Sequence, residues 1–122
     1  MKKVYISGPI SGYDIEERRA EFSRVKHILE KKNYKVFNPM ENGLDQDATT
    51  SEHMRADIRA LVDCDTIYFM KRWNHSAGCQ TEFLVATACG LEVMFEVCDA
   101  IPAVLITNGE DAGKVVKTIK FV

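Results

Sequence analysis

The sequence has no surplus of positive charge and no long apolar run. Its 122 residues carry 16 Lys and Arg against 18 Asp and Glu, which gives a net charge of −2. Binding to a nucleic acid polymer or an anionic membrane surface needs a basic surplus or a basic run, and the chain has neither. The longest apolar stretches, such as Ala100–Thr107, are far shorter than the roughly 18 residues of a membrane span. We therefore expect a cytoplasmic protein that binds neither nucleic acid polymers nor membranes.

The cysteines and histidines lack the spacings that are typical of metal sites. No Cys-x-x-Cys pair occurs, and the three histidines are far apart in the sequence. These residues are Cys64, Cys79, Cys89, Cys98, His27, His53 and His75. Cys79 lies close to a predicted helix N-terminus, where the pKa of a thiol can fall, but no paired base accompanies it. We expect reduced thiols, no metal and no organic cofactor.

Several sequence motifs of nucleotide and acyl-transfer enzymes are also missing. The segment Gly109–Lys114 has three residues between its glycines where a Walker loop has four, and Val115 replaces the Ser or Thr. The loop Gly8–Gly12 lacks the Gly-x-Gly-x-x-Gly pattern of dinucleotide-binding folds. No Gly-x-Ser-x-Gly segment is present. These absences exclude three common site types.

Short apolar runs alternate with segments of helical periodicity along the whole chain. The runs predict strands at Lys3–Ser7, Tyr34–Phe37, Thr66–Met70, Leu91–Val97 and Ala103–Thr107. Such alternation is typical of a parallel sheet covered on both faces. We expect a single α/β domain over residues 1–122, with a flavodoxin-like (Rossmann-like) doubly wound sheet of five parallel strands and helices on both faces.

Capping residues mark where the helices begin. Asp14 with Glu17, and Thr49 with Glu52, have the spacing of capping boxes. A third helix of small and apolar residues is predicted over Thr81–Cys89, ending at Gly90. A closing helix is predicted from the helical spacing of Ala112, Val115, Val116 and Ile119.

Two carboxylates occupy unusual positions in this scheme. Asp57 falls on the apolar face of the second helix, between Met54 and Leu61, unless it lies at the rim of that face or caps a neighbouring loop. Glu82 is predicted in the first turn of the third helix, where it either complements the helix N-terminus or serves a site. Ligands bind beyond the carboxyl ends of the strands in such sheets, and two carboxyls there suit cleavage of a glycosidic bond.

These residues belong to a series of short motifs that resembles one known family. The series is Val4-Tyr5-Ile6-Ser7-Gly8-Pro9-Ile10-Ser11-Gly12, Asn38-Pro39, Met54-x-x-Asp57-x-x-x-Leu61-x-x-Cys64-Asp65 and Trp73-x-x-Ser76-x-Gly78-x-x-x-Glu82, followed by Ala86 and Gly90. It resembles the nucleoside 2-deoxyribosyltransferase-like superfamily, most closely a small uncharacterised branch, with the deoxynucleoside 5′-monophosphate N-glycosidases as more distant relatives. The resemblance covers Lys3–Val97 and leaves out Cys98–Val122.

The resemblance implies a role for each matching residue. Glu82 corresponds to the nucleophile that takes the deoxyribosyl group, Asp57 to the residue that holds the sugar hydroxyls or assists the base, and Tyr5 to a residue beside the catalytic carboxylate. Tyr5 is equally consistent with a core position, and Trp73 with either base stacking or surface packing. The implied substrate-binding residues, several of them serving a 5′-phosphate, are Gly8, Pro9, Ile10, Ser11, Gly12, Asn38, Trp73, Ser76 and Gly78.

One departure from the relatives concerns the glycine loop. The relatives carry an arginine within this loop, whereas Gly8–Gly12 has none. Arg18 or Arg19 of the following helix is the candidate to replace it.

The function expected from the residues and the resemblance together is that of an N-glycosidase or deoxyribosyltransferase. It would act on a nucleoside or nucleoside 5′-monophosphate with Glu82 as nucleophile. The alternatives are a non-catalytic module that binds or senses nucleotides with the same pocket, and an interaction domain without a ligand. We expect a homodimer or tetramer, because one small chain supplies few walls for a pocket and because relatives share sites across subunits.

Overall fold

The computed structural model describes residues 1–45 and 47–96, and beyond them only the backbone of three short strands. The strands within residues 1–96 are β1 (Lys3–Ser7), β2 (Lys35–Phe37), β3 (Thr66–Phe69) and β4 (Glu92–Phe95). The helices are α1 (Ile15–Lys31), α2 (Thr50–Val62) and α3 (Ala77–Ala88). Two single 3-10 turns, Pro39–Glu41 and Trp73–His75, follow β2 and β3. This is the alternating α/β order that the sequence predicts.

The four strands form one parallel sheet in the order β2-β1-β3-β4. Ser7 at the end of β1 pairs with Phe69, and Phe69 pairs with Phe95, so the carboxyl ends of three strands lie side by side. The loops that leave this edge are the ones in which the sequence predicts a site.

Alternating side chains on the strands build a core on each face of the sheet. Tyr5, Ile67 and Phe69 face α2 and α3, where they pack with Leu61, Phe83 and Ala86. Val4, Ile6 and Tyr68 face α1, where they pack with Phe22, Val25 and Leu29. Each set is nearly free of solvent contact. The predicted arrangement of helices on both faces is confirmed.

Side-chain caps fix the first two helices as predicted. The Asp14 side chain accepts a hydrogen bond from the backbone N–H of Glu17. Thr49 and Glu52 form the full reciprocal capping box. Gly90 adopts the left-handed conformation that ends a helix, as predicted for α3, and Asn33 does the same after α1. Among the described helices, none has the length and apolar character needed to cross a membrane.

The predicted place of Ala103–Thr107 in the parallel sheet and the predicted closing helix are wrong. Within the predicted strand Ala103–Thr107, β5 (Leu105–Ile106) pairs antiparallel with β6 (Lys114–Val115) in a separate two-stranded sheet. A later strand, β7 (Ile119–Phe121), pairs parallel with β4 instead. Three of the four residues that indicated a helix in this segment are valine or isoleucine, which are equally common in strands. Their spacing therefore did not distinguish a helix from a strand. Ala112 and Val116 lie outside the described residues.

Candidate active site

A buried carboxylate, Glu82, lies at the carboxyl edge of the sheet and is held by two hydroxyls of β1. Ser7 Oγ donates a hydrogen bond to Glu82 Oε1 at 2.7 Å, and the Tyr5 hydroxyl donates one to Oε2. Because side chains alternate along a strand, Tyr5 and Ser7 share the face that meets α3. All three side chains are buried, with Glu82 only 6% exposed. Both carboxylate oxygens are therefore oriented by neutral donors.

The start of α3 sets the position of Glu82. Ser76 is the N-cap, and its Oγ accepts a hydrogen bond from the N–H of Cys79 at 3.3 Å. The helix thus begins at Ala77, four residues earlier than predicted, because the cap of Ser76 outweighs the loop-forming character of Gly78. Glu82 consequently lies in the second turn. The expectation that it occupies the first turn is wrong, and complementing the helix N-terminus does not account for its position.

Burial raises the pKa of Glu82 to about 7. The hydrogen bonds from Tyr5 and Ser7 favour the carboxylate and lower this pKa, whereas the negative charge of Asp57 raises it. Burial, together with the charges of Glu82 and Asp57, also raises the pKa of Tyr5 well above its ordinary value. Tyr5 therefore remains a hydrogen-bond donor at neutral pH, and Glu82 exchanges readily between acid and carboxylate.

The second carboxylate, Asp57, is tied to the loop before its helix. Asn42 Nδ2 donates a hydrogen bond to Asp57 Oδ1 at 3.0 Å and lies 3.0 Å from His53 Nδ1. Asp57 is half-buried, and this burial raises its pKa. The hydrogen bond with Asn42 agrees with the alternative of a loop contact, and the negative charge of Asp57 also raises the pKa of Glu82.

The remaining residues expected in the site fall into two groups. Some belong to the loop at the same edge. Gly8 follows Ser7, and a Cβ there would lie 2.6 Å from Met70 Sδ, so a side chain at this position would displace Met70. Gly12 has a left-handed φ of +86°, which favours glycine. Pro9 is buried, Ile10 is half-buried and Ser11 is exposed.

Others already make structural contacts. Trp73 is half-buried and packs on Phe69, with ring centroids 4.5 Å apart, and on Phe83 at 5.4 Å. Asn38 Oδ1 accepts a hydrogen bond from Met40 N at 2.9 Å and so caps the 3-10 turn. Cys79 is buried, and burial raises the pKa of its thiol, which agrees with the expectation that Cys79 is not a catalytic residue.

Sequence reasoning missed Ser7, Asn42 and Phe37 as parts of this environment. Ser7 could have been found from its spacing of two residues from Tyr5, which places both on one face. Phe37, the last residue of β2, stacks on Tyr5 with ring centroids 5.5 Å apart. Asn42 lies in the long polar loop after β2, and nothing in the sequence indicates which polar residue of that loop meets α2.

Comparison with known proteins identifies the family. Residues 2–95 match a family described as a domain of unknown function, DUF4406. The chain belongs to this family. The match agrees with the expectation of an uncharacterised family and covers nearly the same residues as the motif series. No protein with curated function matches the sequence significantly.

Solved structures with the same fold as this DUF4406 domain include two enzymes. A CMP N-glycosidase from Clostridium botulinum is 16% identical with a TM-score of 0.61, over 99% of this chain and 87% of that protein. A 2-deoxyribosyltransferase from Leishmania mexicana is 15% identical with a TM-score of 0.64, over 100% and 83%. A conserved protein from Enterococcus faecalis V583 is 24% identical with a TM-score of 0.62, over 82% of this chain. The DUF4406 chain spans only 65% of that protein's length.

The hydroxyl of Tyr5 can be tested by its effect on Glu82. We expect Tyr5→Phe to raise the pKa of Glu82 by roughly one unit or more, since a hydrogen bond to a charged group contributes about 1.5–3 kcal/mol. NMR titration with carboxyl-labelled glutamate measures this pKa. Tyr68→Phe is the matched control, because Tyr68 is a buried tyrosine on the opposite face of the sheet. Equal pKa values in the two variants would contradict the coupling.

Proposed function

We propose that this protein cleaves or transfers at the N-glycosidic bond of a nucleoside or nucleoside 5′-monophosphate. The observation that carries the proposal is the buried Glu82 carboxylate, whose two oxygens accept hydrogen bonds from Tyr5 and Ser7 at the ligand-binding edge of the sheet. The CMP N-glycosidase and the 2-deoxyribosyltransferase that share the fold support a related activity.

In the proposed reaction Glu82 is the nucleophile. One carboxylate oxygen bonds to the anomeric carbon as the bond from that carbon to the base nitrogen breaks, and the base leaves with the electron pair and takes up a proton. Water or an acceptor base then attacks the anomeric carbon, the bond from that carbon to the Glu82 oxygen breaks to restore the carboxylate, and the attacking molecule gives up a proton to solvent. The transition state resembles an oxocarbenium ion. The hydrogen bonds from Tyr5 and Ser7 fix the orientation of the Glu82 carboxylate, so the attacking oxygen is positioned before the substrate binds.

Asp57 is proposed to hold the sugar hydroxyls or to assist the leaving base. Its half-buried carboxylate suits either role, because a carboxyl group can accept hydrogen bonds from hydroxyls and can exchange a proton with a leaving base. The amide of Asn42 fixes one of its oxygens, which leaves the other for substrate. Trp73 is proposed to stack on the base, since its ring is only half-buried against Phe69 and Phe83.

Incubation with purine and pyrimidine deoxynucleosides and their 5′-monophosphates tests the proposal. Chromatography is expected to detect free base, and added acceptor base is expected to yield a new nucleoside if the enzyme transfers rather than hydrolyses. A protein that binds these ligands and never releases base would be the non-catalytic sensing module instead.

A homo-oligomer is proposed alongside this activity. Leu84 of α3 and Val62 of α2 are 45% and 47% exposed, which is high for large apolar side chains. Contact of these helices between two copies would cover both residues. Light scattering is expected to give a mass of twice 13.8 kDa for a dimer or four times 13.8 kDa for a tetramer.

A further inference from the structure

His53 is a half-buried histidine near the start of α2. Residues four apart in a helix lie on the same face, so His53 and Asp57 are neighbours on α2. The amide of Asn42, in the loop after β2, lies within hydrogen-bond distance of both side chains. His53 thus belongs to the surroundings of the second carboxylate.

Three contacts determine how the Asn42 amide is oriented. Its Oδ1 accepts a hydrogen bond from the N–H of Leu44 at 3.1 Å, and its Nδ2 donates one to Asp57 Oδ1 at 3.0 Å. Turning the amide over would set two N–H donors against each other at Leu44 and two oxygens against each other at Asp57. The nitrogen of the amide is therefore the atom that faces His53.

This orientation determines the protonation of the His53 ring. Asn42 Nδ2 lies 3.0 Å from His53 Nδ1, and an amide nitrogen only donates hydrogen bonds. Nδ1 must therefore be the unprotonated acceptor, and a neutral ring then carries its proton on Nε2. An imidazolium has a proton on both nitrogens and would set two N–H groups against each other. The contact with Asn42 thus requires a neutral His53.

Both hydrogens of the Asn42 amide are in use in this arrangement. One meets His53 and the other meets Asp57, so the loop after β2 is tied to α2 at two points. An amide that donates a single hydrogen bond can swing about that bond, whereas a second one removes this freedom. The contact with His53 therefore restricts the direction from which Asn42 approaches Asp57 Oδ1.

We propose that His53 is a positioning residue for Asp57, which it orients through Asn42 by accepting a hydrogen bond at Nδ1. In this role His53 exchanges no proton during the reaction. Its lone pair fixes the Asn42 amide, and the amide in turn holds the Asp57 carboxylate. The inference rests on the proposed function for the step that Asp57 serves.

Substitutions that remove or keep the acceptor at Nδ1 test the proposal. His53→Ala removes it and is expected to lower kcat for base release roughly 3- to 10-fold, the loss that one hydrogen bond typically causes. His53→Asn is expected to restore most of this activity, because Oδ1 of asparagine, like Nδ1 of histidine, is bonded to Cγ. His27→Ala, which removes an exposed histidine of α1, is the control and is expected to leave kcat unchanged.

Two kinetic results would overturn the proposal. One is full activity in His53→Ala. The other is a loss in His53→Asn as large as that in His53→Ala, which would indicate that the ring itself transfers a proton or carries a charge.

A double-mutant cycle tests whether His53 acts through Asn42. In an Asn42→Ala background, His53→Ala is expected to cause no further loss of kcat, because the amide that His53 holds is already absent. Losses that multiply in the double variant would show that His53 acts by a separate route and would contradict the proposal.

NMR spectroscopy provides a test that does not depend on turnover. In the full chain at neutral pH, the ¹⁵N spectrum is expected to show an unprotonated Nδ1 and a protonated Nε2 for His53, and Asn42→Ala is expected to shift the Nδ1 resonance. A protonated Nδ1 would overturn the proposal.

The pKa of Asp57 decides the matter if the parent chain releases no base. Burial raises this pKa and the hydrogen bond from Asn42 lowers it, so a loosened Asn42 is expected to raise it further. We expect the pKa of Asp57 to rise in His53→Ala and to return in His53→Asn, as measured by titration with carboxyl-labelled aspartate. That result without base release would overturn the proposed function and leave the positioning role intact, whereas an unchanged pKa in His53→Ala would overturn the positioning role.

Discussion

Replacing Glu82 by glutamine is expected to reduce base release by at least about a thousandfold, because the amide keeps the shape of the side chain and loses the nucleophile. The glutamine can still accept from one hydroxyl of β1 and donate to the other, so binding of the ligand is expected to persist. Chromatographic assay of free base and calorimetry of ligand binding measure the two effects. Glu30→Gln, an exposed residue of α1, removes the same charge and is expected to retain full activity. Unchanged turnover in Glu82→Gln would exclude Glu82 as nucleophile.

Glu82→Gln is also expected to change the free energy of unfolding, because an ionised carboxylate in the core destabilises the folded state. The pKa of Glu82 is about 7 in the folded chain and 4.5 as a free side chain, so between these values the folded state binds the extra proton. Its contribution to stability is complete below pH 4.5 and is lost as the pH rises through 7. At pH 8 the glutamine variant is therefore expected to be the more stable protein, by on the order of 3 kcal/mol, with no such gain at pH 4. Urea unfolding at the two pH values measures the difference.

Asp57→Asn is expected to have the second-largest effect, a loss of about 10²- to 10⁴-fold in kcat. The substitution keeps an oxygen that can accept the hydrogen bond of Asn42, so the loop stays attached, and it removes the carboxyl group that can carry a charge or exchange a proton. Steady-state assays with the best monophosphate substrate separate kcat from KM.

Asp63→Asn is the control for this variant. Asp63 is an exposed aspartate at the C-terminal end of the same helix, so its substitution is expected to leave both constants unchanged. If Asp57→Asn keeps full activity but unfolds at lower temperature, Asp57 serves only to anchor the loop.

Much of the sheet and its carboxyl edge could be predicted because local signals agree with the fold there. Alternation in β1 predicts a buried Tyr5, and the caps at Asp14 and Thr49 predict two helix starts to the residue. The position of Glu82 was harder to predict from the sequence. Ser76 favours a helix that begins at Ala77, whereas Gly78 favours a loop over the same residues. The sequence shows which residues could cap a helix, but it does not show which of them forms the capping hydrogen bond.

The other features that the sequence did not predict depend on contacts between segments that are distant in the chain. Asn42 meets Asp57 across the loop after β2, and Arg18 turns inward while Arg19 turns outward, although the two are adjacent in sequence. Side-chain contacts between distant segments decide both outcomes. The strand Ile119–Phe121 was missed for the same reason, since its partner β4 lies more than twenty residues earlier.

The two carboxylates are attached to parts of the molecule with different local stability. Tyr5 and Ser7 belong to an inner strand that is paired on both sides, and such strands open only when the whole domain unfolds. Asn42 belongs to a surface loop, whose contacts break and re-form by local opening at far smaller free-energy cost. Glu82, the proposed nucleophile, thus keeps its orientation as long as this strand stays paired, whereas the hydrogen bond between Asn42 and Asp57 breaks whenever the loop opens locally. The local opening that releases Asp57 therefore leaves the hydrogen bonds of Glu82 intact.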